Sequence, residues 1–143
     1  MIEPTQELKM WVAVREDITM SRGKFAAQVG HAFGRLYLSA SRLVPNQFQV
    51  YLEHNEAKIT VKVKDEAALL RVAAEAKAFG VPCELIRDAG RSELEPGTAT
   101  VCAFGPALRE KIGPYLKRLQ VLKEPPTESP PVSTPTADSI TAN

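Results

Sequence analysis

The chain has 143 residues, of which 44% are hydrophobic and 24% charged, enough for one domain with a sizeable core and too few for two ordinary domains. A formal net charge of +1 neither indicates nor excludes a nucleic-acid partner. No apolar run approaches the roughly 20 residues of a membrane span. The N-terminus does not resemble a signal peptide, so we expect a cytoplasmic protein without a membrane segment.

Hydrophobic periodicity and breaker residues divide the sequence into four strands and four helices. In chain order these are a strand at Leu8–Arg15, a helix capped by Ser21 and reaching about Ser41, a short helix from Pro45, a strand at Lys58–Lys64, a helix capped by Asp65 and ended by Gly80, strands at Cys83–Arg87 and Thr98–Phe104, and a last helix from Ala107 to Ile112. Gly105-Pro106 is expected to break the fourth strand. Tyr115–Leu122 fits either more helix or a short edge strand.

The order β-α-α-β-α-β-β-α predicts a single-domain α/β fold with a mixed four-stranded β-sheet flanked by helices. Its third and fourth strands are joined by a loop rather than a helix, so we expect them to pair antiparallel. The domain is predicted to span residues 8–122. Residues 123–143 are mostly Pro, Ser and Thr and are predicted to be a disordered tail, because they have little to bury.

Charge is distributed unevenly between domain and tail. From Glu124 onward the tail carries three acids and no base, and without those three negative charges the net +1 becomes +4 for the domain. A mildly basic domain suits an anionic partner.

The first predicted helix carries a polar stripe. Lys24, Gln28, His31 and Arg35 recur at helical spacing and fall on one side, at the edge of the apolar face. Arg22 and Lys24 stand at the helix start, where free N–H groups can bind an anion. On spacing alone, an ordinary solvated helix face is the more common explanation.

A second group of polar residues follows the third strand, where open α/β sheets usually bind ligands. Asp88, Gly90, Arg91 and Ser92 combine a carboxylate, a flexible position, a cation and a hydroxyl, which could orient a water and hold a phosphate. A capped turn, in which Asp88 and Ser92 bond their own backbone, is equally compatible. The sequence contains no P-loop, dinucleotide fingerprint or paired Cys/His spacing, so no cofactor and no metal are predicted.

Both segments resemble one family. MSRGKFAAQVGHA, residues 20–32, resembles the M-x-x-G-K-x-A-A-Q-x-x-H-A segment of type II peptidyl-tRNA hydrolases, and DAGRSELEPGT, residues 88–98, resembles their D-A-G-R-T-x-x-x-P-G-T/S segment. The resemblance spans roughly residues 8–122. It implies an α/β fold, tRNA as the partner, and cofactor-free hydrolysis of the ester that joins a peptide to the 3′-terminal ribose of tRNA.

The resemblance also implies roles for matching residues. Asp88 would orient or deprotonate water, Lys24 would stabilise the oxyanion or hold a phosphate, and His31 would shuttle a proton or hydrogen-bond Asp88. The residues predicted to bind substrate or tRNA are Arg22, Gln28, Arg35, Arg91, Ser92 and Thr100.

The chain departs from the family pattern at several positions, among them the pair before His31 and the residue after Arg91. Val29-Gly30 replaces a frequent Cys-Ser pair, and Ser92 replaces Thr. A non-catalytic module of the same fold that binds tRNA or a protein therefore stays open as an alternative, as does a hydrolase acting on another ester or amide. A homodimer is also left open.

Overall fold

Four strands form one sheet in the computed structural model, which describes residues 6–90 and 93–123. The strands are β1 (Lys9–Arg15), β2 (Ala57–Val63), β3 (Cys83–Arg87) and β4 (Ala99–Ala107), arranged in the order β2-β1-β4-β3. β1 pairs parallel with β2, whereas β4 runs antiparallel to both β1 and β3. The predicted mixed four-stranded α/β fold is confirmed. Among the described residues, no helix is long and apolar enough to cross a membrane.

The helices cover both faces of the sheet. They are α1 (Arg22–Leu43), α2 (Pro45–Leu52), α3 (Glu66–Ala78) and α4 (Pro114–Lys117), with a 3₁₀ turn at Arg109–Lys111. Met10, Val12 and Val14 of β1 pack with α1 and α2, while the alternating Trp11 and Ala13 pack with α3 and α4. The central part of β1 is therefore an unbroken apolar run because both of its faces are buried.

The predicted break at Gly105-Pro106 is wrong, since β4 continues through these residues to Ala107. Trp11 pairs with Phe104 and Lys9 with Ala107, so two residues of β4 oppose one residue of β1 in a β-bulge. A bulge accommodates a proline, which has no N–H to donate to the sheet. A Cβ at Gly105 would lie 2.7 Å from the carbonyl oxygen of Lys9, so the bulge also requires glycine.

The last predicted helix is also misplaced, because β4 extends to the residue at which that helix was expected to begin. Ala107 ends β4, and α4 begins only at Pro114. Beyond α4 the chain turns back along the free edge of β2, where Lys62 N donates to Gln120 O at 3.0 Å and Leu122 N donates to Thr60 O at 2.9 Å. Both alternatives for Tyr115–Leu122 are thus present in succession, first a short helix and then an extended edge segment.

The topology brings several chain segments to one edge. β1, β2 and β3 are mutually parallel and end at the same edge of the sheet, which we call the carboxyl edge, and β4 begins there. α1 and α3 start at this edge on opposite faces of the sheet. The start of α1 and the loop after β3 are the two segments in which the sequence predicted a site. The predicted tail lies outside the described residues, apart from Lys123.

Candidate active site

The start of α1 is tied to the loop that follows β3. Ser21 caps the helix, and its hydroxyl accepts a hydrogen bond from Lys24 N at 3.1 Å. The backbone N–H of Ser21 donates in turn to the carboxylate of Glu93, also at 3.1 Å. This hydrogen bond lowers the pKa of Glu93. A residue of the loop therefore helps to fix the beginning of the helix.

Lys24 and Asp88 form an ion pair, in which Lys24 Nζ donates to Asp88 Oδ1. The other carboxylate oxygen, Oδ2, accepts a hydrogen bond from Gly90 N at 2.7 Å. The Asp88 side chain is only 2% exposed and that of Lys24 15%, so the pair is largely shielded from water. The hydrogen bond from Lys24 lowers the pKa of Asp88 and outweighs burial, which acts in the opposite direction. Asp88 is consequently ionised at neutral pH.

The loop holds the Asp88 carboxylate through its own backbone. Asp88 N donates to Thr98 O at 2.7 Å, and Gly97 N donates to Asp88 O at 2.8 Å, which closes the loop at its base. Gly90 has a φ of 78°, and a Cβ there would lie 2.5 Å from Cγ of Pro96. Only glycine fits this position, which presents its N–H to the carboxylate.

Gln28 and Thr100 form a second, buried contact beside the ion pair. Thr100 Oγ1 donates to Gln28 Oε1 at 2.5 Å, with Thr100 fully buried and Gln28 8% exposed. No hydrogen bond joins the Nε2 group of Gln28 to another described residue. Because no fully buried side-chain nitrogen or oxygen of the described residues lacks a partner, this Nε2 group is not fully buried. As far as the described residues go, the amide therefore keeps donors available for a ligand.

Arg22 and the remaining two stripe residues point to solvent. Arg22, His31 and Arg35 are exposed, and Arg35 Nε donates to His31 Nε2 at 3.0 Å. Within the described part of the chain, the Asp88 carboxylate accepts hydrogen bonds from Lys24 and Gly90, so the hydrogen bond considered between His31 and Asp88 is not formed. Arg91 and Ser92 lie outside the described residues.

Sequence reasoning missed two charged residues at the carboxyl edge. Glu93 holds the start of α1, although nothing in the local pattern distinguishes it from an ordinary loop acid. Arg15 ends β1, donates to Ala99 O at 3.0 Å, and pairs with Asp17 through two hydrogen bonds of 2.8 and 2.9 Å. An Arg that closes a buried strand two residues before an Asp was the available signal for this contact.

The chemical capacity of the site follows from these contacts. It combines an ionised carboxylate, a lysine cation in contact with it and a fixed amide one helical turn beyond that lysine. Across residues 6–90 and 93–123, no group of three or more His, Cys, Asp or Glu side chains could hold a metal ion. The arrangement is suited to orienting a water molecule and to stabilising negative charge that develops nearby.

Fold and site together define a class: a small α/β domain whose candidate hydrolytic site joins a helix start to the loop of a neighbouring strand at the carboxyl edge of a mixed sheet. The sequence model of the peptidyl-tRNA hydrolase PTH2 family matches residues 8–122. The chain belongs to this family.

Individual relatives agree with the family match. A peptidyl-tRNA hydrolase of Methanocaldococcus jannaschii is 41% identical over 115 residues, which cover 80% of this chain and all of that protein. One from Methanococcus vannielii is 36% identical over 78% of this chain and 96% of its own length. The human mitochondrial peptidyl-tRNA hydrolase 2 is 38% identical over 78% of this chain and 64% of its own length.

Proposed function

We propose that this chain hydrolyses peptidyl-tRNA, cleaving the ester between the peptide and the 3′-terminal ribose to release free tRNA and peptide. The observation that carries the proposal is the contact between Lys24 and the buried, ionised Asp88. Relatives named peptidyl-tRNA hydrolase match most of the chain and support the same reaction. The residues assigned to it need no cofactor.

Asp88 and Lys24 act together in this proposal. Asp88 orients the attacking water and takes its proton as the bond to the carbonyl carbon forms. It returns this proton to the ribose 3′ oxygen as the ester C–O bond breaks. A carboxylate whose pKa is lowered by Lys24 is a weak base in the resting site. When Lys24 turns toward the oxyanion that develops on the carbonyl, Asp88 loses the contact that lowers its pKa most. Its basicity then rises at the step that needs a base.

Gln28 and Thr100 orient the ester. With its oxygen held by Thr100, the Gln28 amide can donate from Nε2 to the carbonyl or to a ribose hydroxyl. Because Gln28 is buried and packed against the sheet, this donor is fixed before the substrate binds. Thr100 is thus a positioning residue, and Gln28 is the group that contacts the substrate.

The cations on the exposed side of α1 bind the RNA. Arg22 and Arg35 contact the phosphate backbone near the acceptor end, where positive charge contributes affinity without reading sequence. His31 accepts from Arg35 and holds that guanidinium in place, which we prefer to a proton shuttle because its ring bonds to Arg35. Roles for Arg91 and Ser92 in RNA binding remain predictions from the sequence.

The test is turnover of an N-acylated aminoacyl-tRNA by Asp88→Asn and Lys24→Ala variants. Loss of a positioned general base lowers rates by about 10²–10⁴-fold, and we expect this loss for Asp88→Asn. Lys77→Ala, at an exposed lysine in the last turn of α3, is the matched control and should retain the wild-type rate. Wild-type turnover in both folded site variants would contradict the assignment.

Two further outcomes would replace the proposed function with one of its alternatives. A wild-type protein that binds tRNA but never turns it over would be a non-catalytic module of the same fold. Cleavage of small acyl esters as readily as acyl-tRNA would indicate a hydrolase for another substrate. A cytoplasmic location and a homodimer remain predictions, and the human relative is named mitochondrial. Cell fractionation and sedimentation of the purified chain would test them.

A further inference from the structure

A second concave surface lies at the β2 end of the carboxyl edge. This groove, with a volume of about 660 Å³, runs between the start of α3 and the segment that follows α4. Its polar lining comes mainly from Lys62, Lys64, Asp65, Arg71, Tyr115 and Arg118. The Lys24–Asp88 pair does not line it, so the groove is separate from the candidate active site.

The groove carries an excess of positive charge, because four cations and two acids line it. Its two acids are already engaged: Glu16 lies 3.5 Å from Lys62, and the Asp65 carboxylate caps α3 by accepting from Ala68 N at 2.9 Å. Lys64, Arg71 and Arg118 are exposed. Among residues 6–90 and 93–123, no carboxylate lies within salt-bridge distance of these three cations.

Arg71 is held in place for binding. Its guanidinium carbon lies 3.9 Å from the centre of the Tyr115 ring, in a cation–π contact. Tyr115 is itself fixed, because its hydroxyl donates to Ala68 O at 3.2 Å and its backbone N donates to Glu75 at 2.6 Å. A guanidinium stacked on a rigid ring keeps its N–H edges free, and these match the oxygens of a phosphate.

The position of the groove fits a ligand that also reaches the active site. Lys64 directly follows β2 and Asp88 directly follows β3, and these are the two outer strands of the sheet. Both residues lie at the carboxyl edge, three strand spacings or about 14 Å apart along that edge. A ligand that joins them passes over the edge from the α3 face to the α1 face. This separation is too large for one peptide ester and is easily spanned by a few nucleotides of an RNA strand.

We propose that this groove binds the phosphodiester backbone of the tRNA substrate, a few nucleotides away from the scissile ester. The inference rests on the proposed function, because it takes the RNA whose 3′ end lies at Asp88 as the ligand. Backbone contacts from Lys64, Arg71 and Arg118 add affinity and orientation and leave the chemistry to the active site.

The experiment compares two triple variants with the same change in charge. The groove variant is Lys64→Gln/Arg71→Gln/Arg118→Gln. The control is Arg42→Gln/Lys77→Gln/Lys111→Gln, whose side chains are exposed. Arg42 and Lys77 lie in the last turns of α1 and α3, away from the carboxyl edge.

Binding of deacylated tRNA is measured by fluorescence anisotropy from low to high salt. The groove variant should bind about tenfold or more weakly than wild type, and the slope of log affinity against log salt should fall by about 2. The control should change neither. In turnover, the advantage of full-length acyl-tRNA over an acylated adenosine, which has no phosphodiester, should shrink by a similar factor in the groove variant, through KM rather than kcat.

Equal behaviour of the two variants, whether both match wild type or both weaken, would overturn the groove as a specific RNA site. So would an equal loss on the long and the short substrate. If wild-type protein hydrolyses acyl-tRNA while the groove variant matches it, only this inference fails. If wild-type protein neither binds nor hydrolyses tRNA, the proposed function fails and the groove assignment fails with it.

Discussion

Replacing Lys24 with Met removes the cation that compensates a buried carboxylate. Asp88 is 2% exposed, so little water can solvate its charge instead, whereas the Lys24 side chain is 15% exposed and has a path to water. Breaking a buried ion pair by removing one partner costs about 3 to 5 kcal/mol, and we expect the lower end of that range for Lys24→Met. Asp88→Asn should cost less, about 1 to 2 kcal/mol, because Lys24 can turn to solvent.

Urea unfolding of both single variants and of the double variant, at pH 7 and pH 4.5, measures these free energies. The double variant leaves no unpaired buried charge, so it should be more stable than the sum of the two single losses predicts. Lys77→Met, at an exposed site in α3, is the control and should change the free energy of unfolding by less than about 0.5 kcal/mol. All three site variants should be poor catalysts, whatever their stability.

The pH dependence has a defined direction. In the wild type, Lys24 holds the pKa of Asp88 below its usual value, so the ionised group stabilises the fold at neutral pH and this contribution is lost as the pH falls through the lowered pKa. Lys24→Met removes the contact that lowers the pKa of Asp88 most, so we expect this pKa to be higher in the variant than in the wild type. The difference in stability between this variant and wild type should therefore shrink from pH 7 to pH 4.5. A Lys24→Met variant no less stable than Lys77→Met, or strictly additive single variants, would refute a coupled buried pair.

Variants of three other site residues distinguish effects on stability from effects on kcat and KM. Thr100→Val removes the donor to Gln28 and should cost about 1 to 2 kcal/mol in unfolding free energy, with kcat falling because the amide is no longer fixed; a Thr100→Ser variant should keep both. Gly90→Ala places a Cβ against the ring of Pro96 at a residue with positive φ. The free energy of unfolding, measured by thermal unfolding, should therefore fall by about 1 to 3 kcal/mol, and turnover should fall with it. His31→Ala should raise KM for tRNA through Arg35 and leave kcat within about threefold, whereas a proton shuttle would show a large loss in kcat at saturating substrate.

Local signals were enough to predict the strands and the first three helices. Ser21 and Asp65 do cap α1 and α3, and Pro45 does open α2, because caps and prolines act through residues a few positions away. The break predicted at Gly105-Pro106 failed because the bulge that admits it depends on pairing with β1, far away in sequence.

The same distinction explains the candidate site. Helical spacing put Lys24, Gln28, His31 and Arg35 on one side of α1 but could not show how that side is turned toward the sheet. Gln28 is buried because its partner, Thr100, is 72 residues away on β4, and His31 is exposed beside Arg35. A polar residue on a helix becomes part of a core only when another element supplies its hydrogen bond, which no local pattern reveals.

The replacement of the frequent Cys-Ser pair by Val29-Gly30 removes a hydroxyl at position 30, and this loss affects the chemistry only if position 30 faces the site. Gly30 is two residues from Gln28, about 200° around α1 at about 100° per residue, so it points away from the sheet. It is exposed, and a Cβ built on it meets no atom within 4 Å. Gly30→Ala and Gly30→Ser should therefore each stabilise α1, by about 0.5 to 1 kcal/mol for Ala and somewhat less for Ser, with unchanged turnover. If Gly30→Ser alone increased kcat on acyl-tRNA, the hydroxyl would reach the site after all, and the orientation of α1 inferred from Gln28 would be wrong.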